Sequence, residues 1–223
     1  MSLVDILKSA SSVELNAPLT ISEIEAFQTS LPGPIPGEVR DLLEQASGLR
    51  APFGNVDFTG RSNTFNFREI FPYGIPVAQR DGDFWIVDIA QDGRWQSVFF
   101  VSHDPAVAVI QFPLFSDFIR SVMAKNTVSV DAENFASKVW SDGSSGQRVG
   151  DARVSPDPFI SSFASELPDN FEIYDLRSNQ IGSGFAWGRN GPKTDCRRAD
   201  SQMLFAVEKV VPKKGFLQKL LGG

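Results

Sequence analysis

The chain has 223 residues, of which 42% are hydrophobic and 22% charged, a composition typical of a globular protein with a substantial core. A single cysteine, Cys196, excludes an internal disulfide framework and favours a reducing, cytoplasmic location, and a single histidine, His103, argues against a zinc or di-iron centre. No apolar run reaches the roughly 20 residues of a membrane-spanning helix, and the N-terminus lacks a secretory signal pattern.

The net charge of −6 is unevenly distributed. Residues 1–123 carry 8 basic and 15 acidic side chains (8 − 15 = −7), and residues 124–223 carry 13 and 12 (13 − 12 = +1). An acidic surface repels nucleic acid and attracts basic proteins, so we expect no nucleic-acid partner. Solubility alone is the other explanation of such a charge.

A first helix is predicted to begin after Thr20 or Ser22, either of which can cap it, with Glu23 in the first turn. The residues expected on its apolar side are Ile21, Ile24 and Phe27.

A second helix is predicted after a proline- and glycine-rich break at residues 32–37. Pro36 suits its first turn, where no backbone N–H is needed, and Gly48 suits its C-terminal end. Glu38 and Asp41 lie on the polar side, which is either a solvated face or an acidic patch that attracts a basic partner. The residues predicted to be buried at helical spacing are Val39, Leu42, Leu43 and Ala46.

Residues 74–104 predict a three-stranded meander, in the segments GIPVAQ, DFWIVDIA and WQSVFFVSHD. The pairs Asp81-Gly82 and Asp92-Gly93 separate them, and Asp-Gly favours tight hairpin turns because both residues tolerate positive φ. AVAVIQF adds a fourth strand, and PLFSDFIRSVM a helix capped by Ser116. Helices before and after a meander indicate an α+β fold, with an antiparallel sheet and helices on one face.

The second part of the chain predicts further helices and strands. VDAENFASKVW, capped by Asp131, and PFISSFASEL favour helices, NFEIYDL and SQMLFAVEKVV favour strands, and IGSGFAWGRNGP favours a hairpin or bulged strand. SDGSSGQRVGDARVSPDP favours a polar connector. We expect residues 1–123 to form one domain and residues 124–223 a C-terminal extension that packs on it.

Three carboxylates around the first hairpin raise the question of a metal or catalytic site. A hard cation needs several convergent oxygens, and Asp81, Asp83 and Asp88 converge only if the sheet bends. We therefore predict no metal and no cofactor, with Asp81, Gly82 and Gly93 shaping turns and Asp88 bonded to a neighbouring backbone group. Asp81 and Asp83 are also candidates for the rim of a partner-binding surface.

A Cys–His enzyme is the alternative chemistry. Adjacent residues on an extended chain point apart, so Asp104 cannot orient His103. Cys196 is the conspicuous nucleophile, and Arg197 and Arg198 are placed to lower its pKa. A lone cysteine is more often a packing residue, and we predict no catalytic residues.

Four aromatic side chains are candidates for partner contacts, because large aromatic residues dominate interface hot spots, although core packing is the commoner role. They are Phe71, Tyr73, Trp85 and Trp95. The tail PKKGFLQKLLGG has too small an apolar face for stable membrane anchoring.

Residues 19–123 resemble the SUKH superfamily, which contains a fungal regulator of cell-wall synthesis and many bacterial immunity proteins. The matching pieces, in chain order, are Ile24, Phe27 and Leu31-Pro32; Val39, Leu42, Leu43 and Ser47-Gly48; Pro76-Val77 and Asp81-Gly82-Asp83; Trp85 to Asp88, with the central acid of a family strand; Val98 to Asp104; and Phe115-Ser116-Asp117-Phe118.

The resemblance implies an α+β binding scaffold whose bacterial members neutralise toxins by contact. We therefore expect a cytoplasmic, non-enzymatic protein that binds a protein partner, such as a basic toxin domain. A regulatory interaction module of cell-envelope processes and a hydrolase-type enzyme in the C-terminal half are the alternatives. The oligomeric state stays open.

Overall fold

The structure is a computed structural model that describes residues 2–9, 13–63, 67–124, 128–142, 146–191, 193–199 and 202–209. The tail at 212–223 lies outside these residues. The helices are α1 (Leu3–Ser9), α2 (Ile21–Gln28), α3 (Gly37–Leu43), α4 (Phe115–Met123), α5 (Val128–Asp142), α6 (Val149–Ala152) and α7 (Pro158–Ser165). The strands are β1 (Glu14–Leu15), β2 (Gly48–Ala51), β3 (Gly54–Asp57), β4 (Ile75–Arg80), β5 (Asp83–Ile89), β6 (Trp95–His103), β7 (Ala106–Phe112), β8 (Gln147–Arg148), β9 (Phe171–Asp175), β10 (Gly184–Phe185), β11 (Cys196–Arg198) and β12 (Leu204–Glu208).

The larger sheet has eight antiparallel strands in the order β1-β2-β3-β4-β5-β6-β7-β10. The predicted meander and fourth strand are confirmed as β4 to β7. At the first turn both Asp81 (φ 52°) and Gly82 (φ 92°) have positive φ, as a type I′ turn requires. At the second turn Gly93 (φ 86°) has positive φ and Asp92 does not, so this turn is wider than predicted.

Helices α1 to α5 cover one face of this sheet. Their buried residues and those of the strands form the helix-side core, which includes Ile24, Leu42, Val98, Phe118 and Ala132. Of the two predicted caps of α2, Thr20 is the one observed, and its hydroxyl accepts a hydrogen bond from the N–H of Glu23 in a capping box. The α+β prediction is confirmed.

A second sheet, in the order β11-β12-β9-β8, covers the opposite face of the eight-stranded sheet. The inter-sheet core between them includes Phe71, Ile86, Phe99, Phe185 and Phe205. Helices α6 and α7 cover the outer face of the small sheet through an outer core. The order of layers is therefore helices, large sheet, small sheet, helices, whereas we predicted helices on one face and no second sheet.

Central strands of the large sheet are buried on both sides. In β6, Val98 and Phe100 point into the helix-side core, and Phe99 and Val101 point into the inter-sheet core. This alternation explains why WQSVFFVSH is apolar at successive positions instead of every second one.

Two predictions about single helix residues are wrong. Asp131 lies inside α5 and does not cap it, and Ile21 of α2 is 65% exposed instead of packing on the apolar side.

Three further local predictions are wrong. Helix α3 ends at Leu43, and Gly48 lies in β2, where a Cβ would fall 2.1 Å from the carbonyl oxygen of Val56. The N-cap of α4 is Leu114 and not Ser116, which lies within the first turn of the helix. The polar connector contains α6, whose Val149 and Ala152 are buried in the outer core.

The division of the chain at residue 124 stays a prediction, although residues on both sides of it share one core. Val128 and Ala132 of α5 belong to the helix-side core. The Trp85 indole donates to Gln111 Oε1 at 2.7 Å, and the Gln111 amide donates to the carbonyl oxygen of Val128 at 2.6 Å. A polar chain through the buried interior thus links β5 and β7 to the start of α5.

Candidate functional site

The tip of the β4–β5 hairpin carries two of the three predicted carboxylates. Asp81 is exposed and lies 3.3 Å from the guanidinium of Arg80. Asp83 is largely covered, and its Oδ1 accepts the backbone N–H of His103 at 3.0 Å and lies 2.7 Å from His103 Nδ1. The imidazole itself stays exposed and packs beside Gly82, where a Cβ would lie 3.1 Å from the ring.

Asp83 therefore joins two turns of the meander, because it fastens the end of β6 to the start of β5. The predicted roles of Asp81 and Gly82 in the turn agree with this geometry. The partner of His103 is Asp83 and not Asp104, as the direction of neighbouring side chains on a strand requires.

Asp88 lies elsewhere, on the inter-sheet side of β5, and it is fully buried. Its carboxylate accepts two hydrogen bonds of 2.7 Å from the guanidinium of Arg198 in β11. Our prediction of a backbone partner for Asp88 is wrong, because a guanidinium balances both the charge and the two oxygens of a buried carboxylate. The three carboxylates do not converge, and among the described residues no group of His, Cys, Asp and Glu side chains is placed to hold a metal ion.

Sequence reasoning assigned Arg198 to Cys196 and missed its role as the partner of Asp88. Besides Asp88, its guanidinium donates to the carbonyl oxygens of Ile70 at 3.0 Å and Gln202 at 3.1 Å, and it lies 5.2 Å from the ring centre of Phe205. Its side chain is 6% exposed. The sequence did contain a signal for this role, which is Asp88 in the middle of an apolar strand. A buried carboxylate needs a compensating cation, and that cation can come from a distant part of the chain.

Cys196 is buried, and burial followed by nearby acids raises the pKa of its thiol to about 12. The expected effect of the two arginines is wrong, because Arg197 pairs with Asp195 and Arg198 pairs with Asp88. At neutral pH the thiol is protonated, and a protonated thiol is a poor nucleophile.

Two of the predicted partner-binding aromatics are core residues. Phe71 and Trp85 are 0% and 1% exposed. Phe71 packs in the inter-sheet core and Trp85 in the helix-side core, so the prediction that they contact a partner is wrong. The Trp85 indole N–H is satisfied inside the protein, by Gln111 Oε1.

The other two aromatics remain partly accessible on different sides of the sheet. Tyr73 is 37% exposed and lines a cavity together with Arg198. Trp95 packs against Phe115 at the helix-side core, with ring centres 4.9 Å apart. Gly93 lies beside Trp95 in the β5–β6 turn, where a Cβ would fall 2.7 Å from the carbonyl oxygen of Pro34.

Glu38 and Asp41 are exposed on α3, as predicted. Together with exposed carboxylates of α2 and the end of α3, they form what we call the α2–α3 surface, defined by Glu25, Glu38, Asp41 and Glu44. None of the ion pairs between described residues involves these four.

The α2–α3 surface and the hairpin tip are two separate acidic regions. Pro34, three residues before α3, touches the Gly93 turn at the far end of β5. Asp83 is the first residue of β5 and Ile89 the last, a span of about 20 Å at roughly 3.3 Å per residue. The predicted partner-binding acids therefore do not form one continuous patch.

The model of the SMI1 / KNR4 family (SUKH-1) matches residues 18–121. These residues, a little under half of the chain, are similar to that family. In comparisons with curated proteins and with solved structures, no protein matched the chain.

The matched residues contain β2 to β7, α2, α3 and all but the last two residues of α4, and so carry both acidic regions and Asp88. Arg198, the partner of Asp88, lies in the extension, outside the matched residues. None of the described helices combines the length and the apolar character that crossing a bilayer requires.

Proposed function

We propose that this protein is a non-enzymatic binding protein of the immunity type, which neutralises a basic toxin domain by direct contact. The match of residues 18–121 to a SUKH family carries the proposal, because the resemblance implies a contact scaffold and not a reaction. The acidic balance of residues 1–123, seven more acids than bases, favours a basic partner (15 − 8 = 7).

The α2–α3 surface supports this function best among the predicted residues. Its carboxylates are exposed, lie on two adjacent helices joined by a hydrogen bond from Arg40 to Gln28, and are not engaged in ion pairs with other described residues. Charges of one sign on a rigid surface raise the rate at which an oppositely charged protein associates.

The test begins with affinity capture of the partner by the tagged full chain, followed by association kinetics with the purified partner. The variant E38K/D41K reverses two charges on the α2–α3 surface. We expect its association rate at low salt to fall by about tenfold or more, with a smaller change in the dissociation rate.

The matched control is D131K/D151K, which reverses two exposed charges on α5 and α6. Its association rate should stay within about twofold of the parent chain, because screened charges away from the contact contribute little. Equal association rates for the parent chain and both variants would rule out the α2–α3 surface as the contact site. A measurable enzymatic turnover in the absence of a protein partner would rule out the proposed function.

A regulatory role in cell-envelope processes is the second candidate, favoured by the same family match. The gene next to this one separates the two: an adjacent toxin gene whose product is harmless only when co-expressed with this chain supports immunity. A captured partner from the cell-envelope machinery supports regulation instead.

A further inference from the structure

In the part of the chain that the structure describes, the outer strand of the small sheet, β11, is paired on one side. Among the described residues β11 pairs with β12 alone. The N–H of Ala199 donates to Leu204, and that of Glu208 donates to Asp195. Since hydrogen-bonded positions alternate in an antiparallel pair, the backbone N–H and C=O of Arg198 point to the free edge.

The backbone of Arg198 is accessible, whereas its side chain is buried. The residue as a whole is partly exposed, but its side chain is 6% exposed because Asp88 holds the guanidinium inside. Part of its exposed area therefore belongs to the peptide groups. A strand edge with free peptide groups is a template for the addition of another strand.

Two cavities flank this edge on opposite faces of the small sheet. One, of about 270 Å³, lies towards the large sheet and is lined by Glu69, Tyr73 and Ile89. The other, of about 210 Å³, lies under α7 and is lined by Phe159 and Glu166. Arg198 and Ala199 line both.

The alternation of side chains along a strand fits this arrangement. Successive residues of an added strand point to opposite faces, so one enters each cavity. Each cavity offers an exposed carboxylate, Glu69 or Glu166, beside an exposed aromatic ring, Tyr73 (37%) or Phe159 (55%). The Arg177 guanidinium already lies 6.0 Å from the centre of the Phe159 ring, and Asp157 and Asp175 balance its charge. A carboxylate beside a ring suits the ammonium or guanidinium group and the aliphatic stem of lysine or arginine.

We propose that the β11 edge binds an extended segment of a partner protein with two successive basic residues, which pairs with the backbone of Arg198 as an added strand. The site, the β11 groove, consists of Glu69, Tyr73, Phe159, Glu166, Arg198 and Ala199. It is separate from the α2–α3 surface, so either can exist without the other.

The probe is the synthetic peptide acetyl-Thr-Val-Lys-Arg-Val-Thr-amide, titrated into the isotope-labelled full chain and followed by amide NMR shifts. We expect saturable shifts at Ala199, Tyr73 and Phe159, with a Kd on the order of 1 mM or tighter. The same peptide with two glutamates in place of its basic pair should not saturate. Equal binding of both peptides, or shifts confined to α3, would overturn the proposal.

Two changes separate strand addition from charge attraction. A peptide methylated on the backbone nitrogens of both basic residues keeps its charge but loses the donors that a strand needs, and we expect no saturable binding. Full affinity of this peptide rules out the added strand.

The variant E69Q/E166Q should bind the unmodified peptide about tenfold more weakly, while the matched control D131N/D151N binds as the parent does. Parent-like affinity of E69Q/E166Q overturns the assignment of the two carboxylates. Because the probe is synthetic, these results do not depend on whether a toxin partner is found for the α2–α3 surface.

Discussion

The two faces of the eight-stranded sheet are covered in different ways. On one face, helices close to the strands in sequence pack through aliphatic and aromatic side chains. On the other, a four-stranded sheet from the end of the chain packs through the inter-sheet core and one buried ion pair, Asp88–Arg198. The pair joins residues 110 positions apart.

The two faces therefore differ in what fixes the position of the covering layer on the sheet. Apolar contacts on the helix side tolerate many arrangements of similar volume. A bidentate carboxylate–guanidinium pair has one geometry, and moving β11 by one residue would leave both charges buried and unpaired. We therefore infer that the register of the small sheet on the large sheet depends on this pair, whereas the packing of the helices depends on their apolar pattern and on local turns.

The largest effect should come from breaking the ion pair. In D88A, Arg198 keeps its charge in a buried place without its carboxylate, and we expect a loss of about 3–5 kcal/mol in the free energy of unfolding. Urea denaturation followed by tryptophan fluorescence measures it.

The double variant D88L/R198M is the control, because it removes both charges together. Its free energy of unfolding should return to within about 1–2 kcal/mol of the parent, since well-packed apolar residues commonly replace a buried pair without large loss. If D88A unfolds at the same urea concentration as the parent, the pair does not anchor the small sheet.

The sequence predicted correctly those features that depend on residues close together in the chain. The hairpin at Asp81-Gly82 depends on two adjacent residues, and the capping box of Thr20 and Glu23 on residues three apart. The burial of Asp88 and Trp85 could not be assigned in this way, because their partners, Arg198 and Gln111, come from distant strands. Of the predicted partner-binding residues, the exposure of Glu38 and Asp41 follows from helical periodicity and that of Asp81 from the turn, whereas the aromatics depend on tertiary packing.

An intermediate effect is expected on the helix side at the β5–β6 turn. In G93A, a side chain must adopt φ 86° and place its Cβ 2.7 Å from the carbonyl oxygen of Pro34. We expect a loss of about 1–2 kcal/mol or more in the free energy of unfolding, measured by urea denaturation.

G37A is the matched glycine substitution, because nothing lies within 4 Å of its Cβ. It should change the free energy of unfolding by less than about 0.5 kcal/mol. If both variants behave alike, the close approach of the turn to Pro34 is unimportant for stability.

The smallest effect on the free energy of unfolding is expected at Asp57, in front of the loop that follows β3. Phe58 of this loop is buried in the helix-side core. Burial alone would raise the pKa of Asp57, but hydrogen bonds from Thr59 and Ser62 lower it below its ordinary value. A carboxylate with a lowered folded pKa stabilises the protein above its unfolded pKa, and this stability is lost as the pH falls through the folded pKa.

The free energy of unfolding of the parent should therefore exceed that of D57N at neutral pH, and the difference should shrink below about pH 4. Urea denaturation at a series of pH values measures it. T59A/S62A, which removes both hydroxyl donors, should flatten this pH dependence. A constant difference between parent and D57N across the series would show that the charge of Asp57 is irrelevant to folding.

The chain of hydrogen bonds from Trp85 through Gln111 to Val128 has a practical consequence for protein engineering. A fragment that stops at residue 121 takes away the acceptor of the Gln111 amide and uncovers the apolar side of β7 that α5 shields. A fragment that continues to Asp142 keeps both. It still lacks Arg198 and the small sheet, and so leaves Asp88 unpaired and the inter-sheet core uncovered. The smallest piece suited to expression on its own therefore extends well beyond residues 18–121, as far as β12.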